Sequence, residues 1–200
     1  MRQVLIATNN EGKAAEFREM LQDRAEVLTL KDVPAAPEAE ETGATFQENA
    51  AIKAEAAAQA LNMPVIADDS GLEVDALDGA PGVYSARFAG PQKDDRANND
   101  LLLEKLQGLP QKERTARFVC VLAVARPEKE TLTVKGTIEG VIAMEPQGTN
   151  GFGYDPLMYL PELGCTMAEL SSVEKNAQSH RHEALKQLLH VWNEIFQEGE

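Results

Sequence analysis

The run Pro64-Val65-Ile66-Ala67-Asp68-Asp69-Ser70-Gly71 puts two adjacent carboxylates at the end of a short apolar strand, with a glycine turn after them. Successive strand side chains point to opposite faces. One aspartate can therefore enter a cleft while the other anchors the turn. Because aspartate also opens ordinary surface turns, the run takes its meaning from its neighbours.

The segment Gln3-Val4-Leu5-Ile6-Ala7 reads as a buried strand and Thr8-Asn9-Asn10-Glu11-Gly12-Lys13 as a polar turn, after which Ala14, Phe17, Met20 and Leu21 recur at helical spacing. A strand–loop–helix unit of this kind aims free backbone N–H groups and the positive end of the helix dipole at the strand's C-terminal edge, and Lys13 adds a full charge. That arrangement suits a polyphosphate. It is not the common P-loop, whose G-x-x-x-x-G-K-[ST] spacing is absent. An Asn-rich turn with a solvated lysine is the plainer alternative.

With 200 residues, 43% of them hydrophobic, the chain can form one or two compact lobes with a real core. No apolar run approaches the ~20 residues needed to span a bilayer, and residues 1–7 are too short and too soon polar for a signal peptide. A soluble, cytoplasmic protein without a membrane partner is expected. The net charge of −14 argues against a nucleic-acid partner, since neutralising phosphates requires clustered Lys and Arg. Cys120 and Cys165 form no C-x-x-C pattern, which speaks against a disulfide scaffold or zinc ribbon.

Further along, Glu26-Val27-Leu28-Thr29-Leu30 suggests a second strand and residues 34–41 an extended acidic loop. Thr45-Phe46-Gln47-Glu48 is a capping box opening an Ala-rich helix to about Leu61, with Asn49 and Lys53 on one face. Helical pattern returns over about 94–107. Strand character follows over 115–126 and 131–143, an antiparallel pair, and a final helix covers about 181–196. This order predicts an α/β fold with a mixed sheet, covered on both faces at one end and extended by a hairpin region at the other.

Two more segments carry chemical possibilities. Gly148-Thr149-Asn150-Gly151-Phe152-Gly153-Tyr154-Asp155-Pro156 combines glycines with Phe152 or Tyr154, either able to stack on a planar base. Its alternative is a bulged turn entering a strand at 156–159. In Lys175-Asn-Ala-Gln-Ser179-His180-Arg181-His182, Ser179 is a natural N-cap that would place His180 and Arg181 in a first helical turn with donors aimed outward. Cations there oppose the helix dipole, which points to an anionic or oxo-bearing ligand. His180 and His182, two apart, fall on different sides of a helix and argue against a His-pair metal site.

Taken in order, Thr8-x-Asn10-x-x-Lys13, Phe46-x-Glu48-Asn49 with Lys53, Ala67-Asp68-Asp69-Ser70-Gly71-Leu72, Gly79-Ala80-Pro81-Gly82-Val83-Tyr84-Ser85-Ala86-Arg87, Gly151-Phe152-Gly153-Tyr154-Asp155-Pro156 and Ser179-His180-Arg181 closely resemble the inosine/xanthosine triphosphate pyrophosphatases. The resemblance runs from residue 4 to about 190. Departures are small: Asn150 stands where a second glycine is usual, Met158 where an aromatic is usual, and Gln178 where an apolar residue is common.

The resemblance implies a single catalytic domain over 1–200, α/β in class, with two lobes around a long mixed β-sheet flanked by helices and the substrate cleft between the lobes. It further implies a homodimeric, Mg²⁺-dependent enzyme that hydrolyses the purine nucleoside triphosphates ITP, dITP and XTP to the monophosphate and pyrophosphate. On it, Asp69 is general base and metal ligand, and Glu41 or Glu40 completes the metal site. Thr8, Asn9, Asn10, Glu11, Gly12 and Lys13, with Lys53 and Lys175, hold the phosphates. Ser70, Phe152, Gly153, Tyr154, Asp155, His180 and Arg181 surround the nucleoside. The chemistry is coherent, since Mg²⁺ needs only one or two acids plus water and phosphate oxygens. A donor such as Arg181 fits the 6-oxo group of hypoxanthine and mismatches a 6-amino purine, a difference that can discriminate by roughly 10⁴ or more. Guanine shares the 6-oxo group and must be rejected at its 2-position. Two rivals stand beside this reading: a septum-inhibitor-type pyrophosphatase acting on pyrimidine or modified nucleotides, and a nucleotide-binding module without catalysis.

Overall fold

The computed structural model describes residues 2–196. Its strands are β1 (Arg2–Ile6), β2 (Ala25–Thr29), β3 (Val65–Val74), β4 (Thr115–Arg126), β5 (Lys129–Ile142), β6 (Met158–Leu160) and β7 (Cys165–Thr166). They form one seven-stranded sheet in the order β2-β1-β3-β4-β5-β6-β7. β1 runs parallel to both β2 and β3, with Val4 opposite Val27 and Ile6 opposite Ile66, whereas β5, β6 and β7 pair antiparallel. The sheet is therefore mixed, as the strand–helix order predicts.

Among the described residues six α-helices accompany it: α1 (Glu11–Leu21), α2 (Phe46–Leu61), α3 (Asp95–Lys105), α4 (Ser172–Gln178), α5 (His180–His190) and α6 (Trp192–Phe196). Local chemistry explains their starts. Asn10 caps α1 by accepting from the Lys13 N–H, and Asp94 caps α3 by accepting from Ala97. Thr45 and Glu48 close the capping box of α2, which ends on Asn62 in the left-handed conformation at φ 50°. The sequence reading did not anticipate α4, although Ser171 and Glu174 form a capping box there as well.

The described chain divides into two compact units, one built from residues up to 69 with 120–136 and from 181 onward, the other from 70–119 and 137–180. The core of the first collects Val4, Ile6, Phe17, Leu21, Ile66, Leu122, Val124, Leu185, Leu188 and Trp192. The core of the second collects Leu72, Leu102, Leu106, Phe118, Ile142, Tyr154, Leu157 and Met167. Each unit thus buries its own apolar side chains, the main favourable term in folding.

Two expectations are corrected. The strand that carries the aspartates does not end in a glycine turn, for β3 continues through Asp68, Asp69, Ser70 and Gly71 to Val74 as a ten-residue strand. Gly71 is needed for close approach: a Cβ there would lie 2.7 Å from the Gly82 carbonyl oxygen and nearer still to Ser85 Oγ. The final helix is not continuous either. Val191 donates to the Leu188 carbonyl at 3.1 Å, three residues back, so α5 closes in a tighter turn before α6 begins. Its apolar face, with Leu185, Leu188, Trp192 and Phe196, is nevertheless buried.

Candidate active site

Strand alternation separates the two aspartates. Asp68 points to the face shared by α1 and α5, where it is fully surrounded by donors. Lys13 Nζ pairs with Asp68 Oδ1, Arg181 Nε approaches Oδ2 at 3.4 Å, and Cys120 Sγ donates to Oδ2 at 3.0 Å. Arg181 also pairs through Nη1 with Glu16 of α1. Burial alone would push the Asp68 carboxyl up, but Lys13 and Arg181 outweigh it and hold the group well below the usual carboxylate range. Burial would likewise disfavour the Arg181 cation, and Asp68 and Glu16 reverse that. Buried Asp68, Arg181 and Glu16 form with half-buried Lys13 a set of two cations and two anions, which is how buried charge is tolerated.

Asp69 points the other way, towards α2. Lys53 Nζ lies 3.4 Å from Asp69 Oδ1, 2.6 Å from Glu41 Oε1 and 2.8 Å from the Asp68 carbonyl oxygen. Asp69 Oδ2 is buried with no hydrogen-bond partner. Burial raises its pKa, Lys53 and Lys13 do not compensate, and Glu41 and Asp68 push in the same direction as burial. Lys53 shows the converse balance, since burial would lower its pKa and Asp69 and Glu41 raise it on balance. Two carboxylates and a lysine thus converge, with one carboxylate under-satisfied.

Glu41 reaches this position because the acidic loop is stitched to α2. The Gly43 N–H donates to Asn49 Oδ1 at 2.8 Å, and the Ala44 N–H to Glu48 Oε2 at 2.6 Å. A Cβ on Gly43 would lie 2.6 Å from Glu48 Cβ, so only glycine lets the loop come so near. Asn49 and Lys53, one helical turn apart, then hold the loop and its carboxylate respectively. Glu40 is exposed, which favours Glu41 of the two candidate ligands.

The loop before α1 is shorter than read from the sequence, because the helix starts after Asn10 and takes Glu11, Gly12 and Lys13 into its first turn. Thr8 is buried, and its Oγ1 accepts from the Asn10 N–H at 3.1 Å. Asn9, Asn10 and Glu11 are exposed and Gly12 half-buried. Lys13, in the first turn, is anchored by Asp68 and is not a free solvated lysine.

Within the second unit, Asp155 Oδ2 accepts from Lys175 Nζ at 2.5 Å and from the Phe152 N–H at 2.9 Å, while Lys175 Nζ lies 4.6 Å from the centre of the Phe152 ring. Tyr154 belongs to the core and donates its hydroxyl to the Ser85 carbonyl at 2.8 Å. Of the two aromatics, half-buried Phe152 is the one with a ring left at a surface. Ser70 is half-buried. His180 does not project outward as its helical position suggested, but is buried and stacked on Phe118 with ring centroids 5.0 Å apart. Arg181 is also buried, and the motive for a cation so near a helix start is its pair of carboxylates.

The sequence reading missed Glu16 and Cys120 as partners of this network. Glu16 falls on the buried side of α1 between Ala14 and Phe17, and a carboxylate on an apolar helix face was the available signal. Among the described residues no three His, Cys, Asp or Glu side chains gather as a ready cation site. An oxygen-seeking cation that takes one or two carboxylates and completes its shell with water and phosphate nevertheless suits Asp69 and Glu41, because Asp69 Oδ2 is a buried carboxylate oxygen lacking a partner.

Known proteins resemble this chain over nearly its whole length. A dITP/XTP pyrophosphatase of Exiguobacterium sp. is 61% identical over 186 residues, which cover 92% of this chain and 94% of that protein. The dITP/XTP pyrophosphatase of Listeria monocytogenes is 58% identical over 189 residues, covering 94% and 93%. The Staphylococcus aureus Ham1 protein has a similar solved structure, with a TM-score of 0.86 at 48% identity over 96% of this chain and 99% of that one. A HAM1 protein from Coxiella burnetii gives 0.87 at 44% identity over 97% and 100%. The model of the Ham1 family matches residues 4–191, from the first buried strand through α5 and so across every motif described above: the chain belongs to the Ham1 family.

Proposed function

We propose that this protein hydrolyses deaminated purine nucleoside triphosphates, ITP, dITP and XTP, to the nucleoside monophosphate and pyrophosphate. The observation that carries the reading is Asp69, a buried carboxylate with one oxygen lacking a partner and a raised pKa, held beside Lys53 and Glu41. The substrate class follows from the relatives, which are dITP/XTP pyrophosphatases.

In this reading a water oxygen attacks the α-phosphorus, the bond from that phosphorus to the bridging oxygen breaks, and pyrophosphate leaves. Asp69 takes the proton of the water, a task suited to a carboxylate whose pKa lies above its ordinary value. Lys13, Lys53 and the N–H groups at the start of α1 balance charge on the phosphate oxygens. A Mg²⁺ ion held by Asp69 and Glu41 would screen those oxygens and favour the leaving pyrophosphate when bound. Ser70, Phe152, Gly153, Asp155, Lys175 and His180 are assigned to the substrate on the strength of the family motifs, which also imply the single catalytic domain and the homodimer, and the cytoplasmic location is proposed from the composition of the sequence. No helix among the described residues is long and apolar enough to cross a membrane.

The deciding experiment measures pyrophosphate release from ITP, XTP, GTP and ATP in parallel with Mg²⁺ present. Preference for ITP and XTP is expected. Preference for pyrimidine or modified nucleotides would move the protein to the septum-inhibitor type, and binding without release would make it a nucleotide-binding module.

A further inference from the structure

The loop carrying Phe152 is held by two side chains of α3 that no motif above includes. Asp95 Oδ2 accepts from the Gly153 N–H at 2.8 Å, and Asn99 Nδ2 donates to the Gly153 carbonyl at 3.0 Å. The two residues lie four apart and so share one helix face. Together they occupy both backbone hydrogen-bonding groups of a single glycine, whose φ of 61° leaves that peptide without a regular ladder. Asn99 is buried, and its Oδ1 has no hydrogen-bond partner, so the residue gives up one polar atom in order to make this contact. The neighbouring Asn98 grips a second segment in the same way, accepting from the Ala89 N–H at 2.7 Å and donating to the Ala86 carbonyl at 3.1 Å.

We infer that Asp95 and Asn99 are positioning residues for nucleoside recognition. By clamping Gly153 they set where Phe152 and Asp155 stand, and thereby how tightly the base is held, without touching the substrate. The inference rests on the proposed function, because it takes the Phe152 loop to be the nucleoside-binding part.

The test compares ITP turnover with inhibition by inorganic tripolyphosphate, which has phosphates but no base. Asp95→Ala, at an exposed position where the fold should survive, and Asn99→Ala are each expected to raise KM for ITP about three- to tenfold, the loss of one hydrogen bond, with kcat within about twofold. Tripolyphosphate inhibition should be unchanged. Asp95→Asn retains an acceptor oxygen and should restore KM. An unchanged KM in Asp95→Ala, or equal weakening of ITP and tripolyphosphate, overturns the inference. Should Asn99→Ala not fold, the Asp95 pair decides alone. Wild-type protein that releases no pyrophosphate from any nucleotide would instead overturn the function on which the inference rests.

Discussion

Asp68 and Asp69 are neighbours in one strand, both buried, and they end in opposite electrostatic states. Asp68 meets Lys13, Arg181 and Cys120 and is stabilised as an anion. Asp69 meets Lys53 at 3.4 Å, shares that lysine with Glu41, and keeps one oxygen without a partner. Burial costs both carboxylates, and only Asp68 is fully compensated. A well-paired buried charge serves architecture, whereas an under-paired one is held ready for a ligand or a proton.

The largest effect that could break this contrast is removal of the proposed Mg²⁺. With EDTA the Asp69–Glu41 side should repel a triphosphate, so pyrophosphate release should fall to background and return with Mg²⁺. Full turnover in chelator would mean that Asp69 works without a metal.

Asp68→Asn comes next. It leaves Lys13 and Arg181 partly unpaired in the interior, and removing one partner of a buried pair costs about 3–5 kcal/mol. Chemical denaturation should register that loss. Asp69→Asn should do the reverse, with turnover falling ~10² or more while the fold persists. A stable Asp68→Asn protein with normal activity, or an active Asp69→Asn protein, would exchange the roles assigned to the two.

A smaller effect tests how the two faces divide their labour. If Lys13 holds the phosphates as proposed, Lys13→Ala should weaken ITP, XTP and GTP alike, by about 1.5–3 kcal/mol, the loss of a charge-assisted contact to the part that all of them share. Arg181→Ala asks whether the guanidinium reads the base. A narrowed ITP to ATP ratio would support recognition of a 6-oxo group, whereas lost stability with an unchanged ratio would leave Arg181 as the anchor of Asp68 and Glu16.

The smallest effect is the pH dependence of stability in metal-free protein. The Asp68 pKa is depressed from the ordinary 3.8, so its contribution is present above 3.8 and is lost as pH falls through the folded value. The Asp69 pKa is raised from 3.8, so its contribution is complete below 3.8 and is lost as pH rises through the folded value. The Tm of Asp69→Asn should therefore exceed that of the wild type once pH climbs above about 4 in EDTA, the gap levelling off above the folded Asp69 pKa. The deficit of Asp68→Asn should shrink only on acidification below 3.8. Parallel Tm curves for wild type and Asp69→Asn would remove the electrostatic distinction between the two carboxylates.

What the sequence determined by itself is what neighbouring residues decide together. The capping box at Thr45 and Glu48 and the long strand over 115–126 are governed by contacts within a few positions and stand where they were read, while the first helix starts at Glu11, a few residues before the periodicity at Ala14 announced it. Alternation along a strand was equally legible, and with it the separation of Asp68 from Asp69. Only the tertiary structure decided which aspartate would be compensated. That choice depends on Arg181, 113 positions away in the chain, and on Cys120, 52 away, and no local pattern encodes such pairings. The same holds for Gly71, read as a turn, where the approach of Ser85 keeps the strand running, and for Asp95 and Asn99, whose partner is the backbone of Gly153. A propensity is a property of a segment, but satisfying a buried charge depends on everything packed around it.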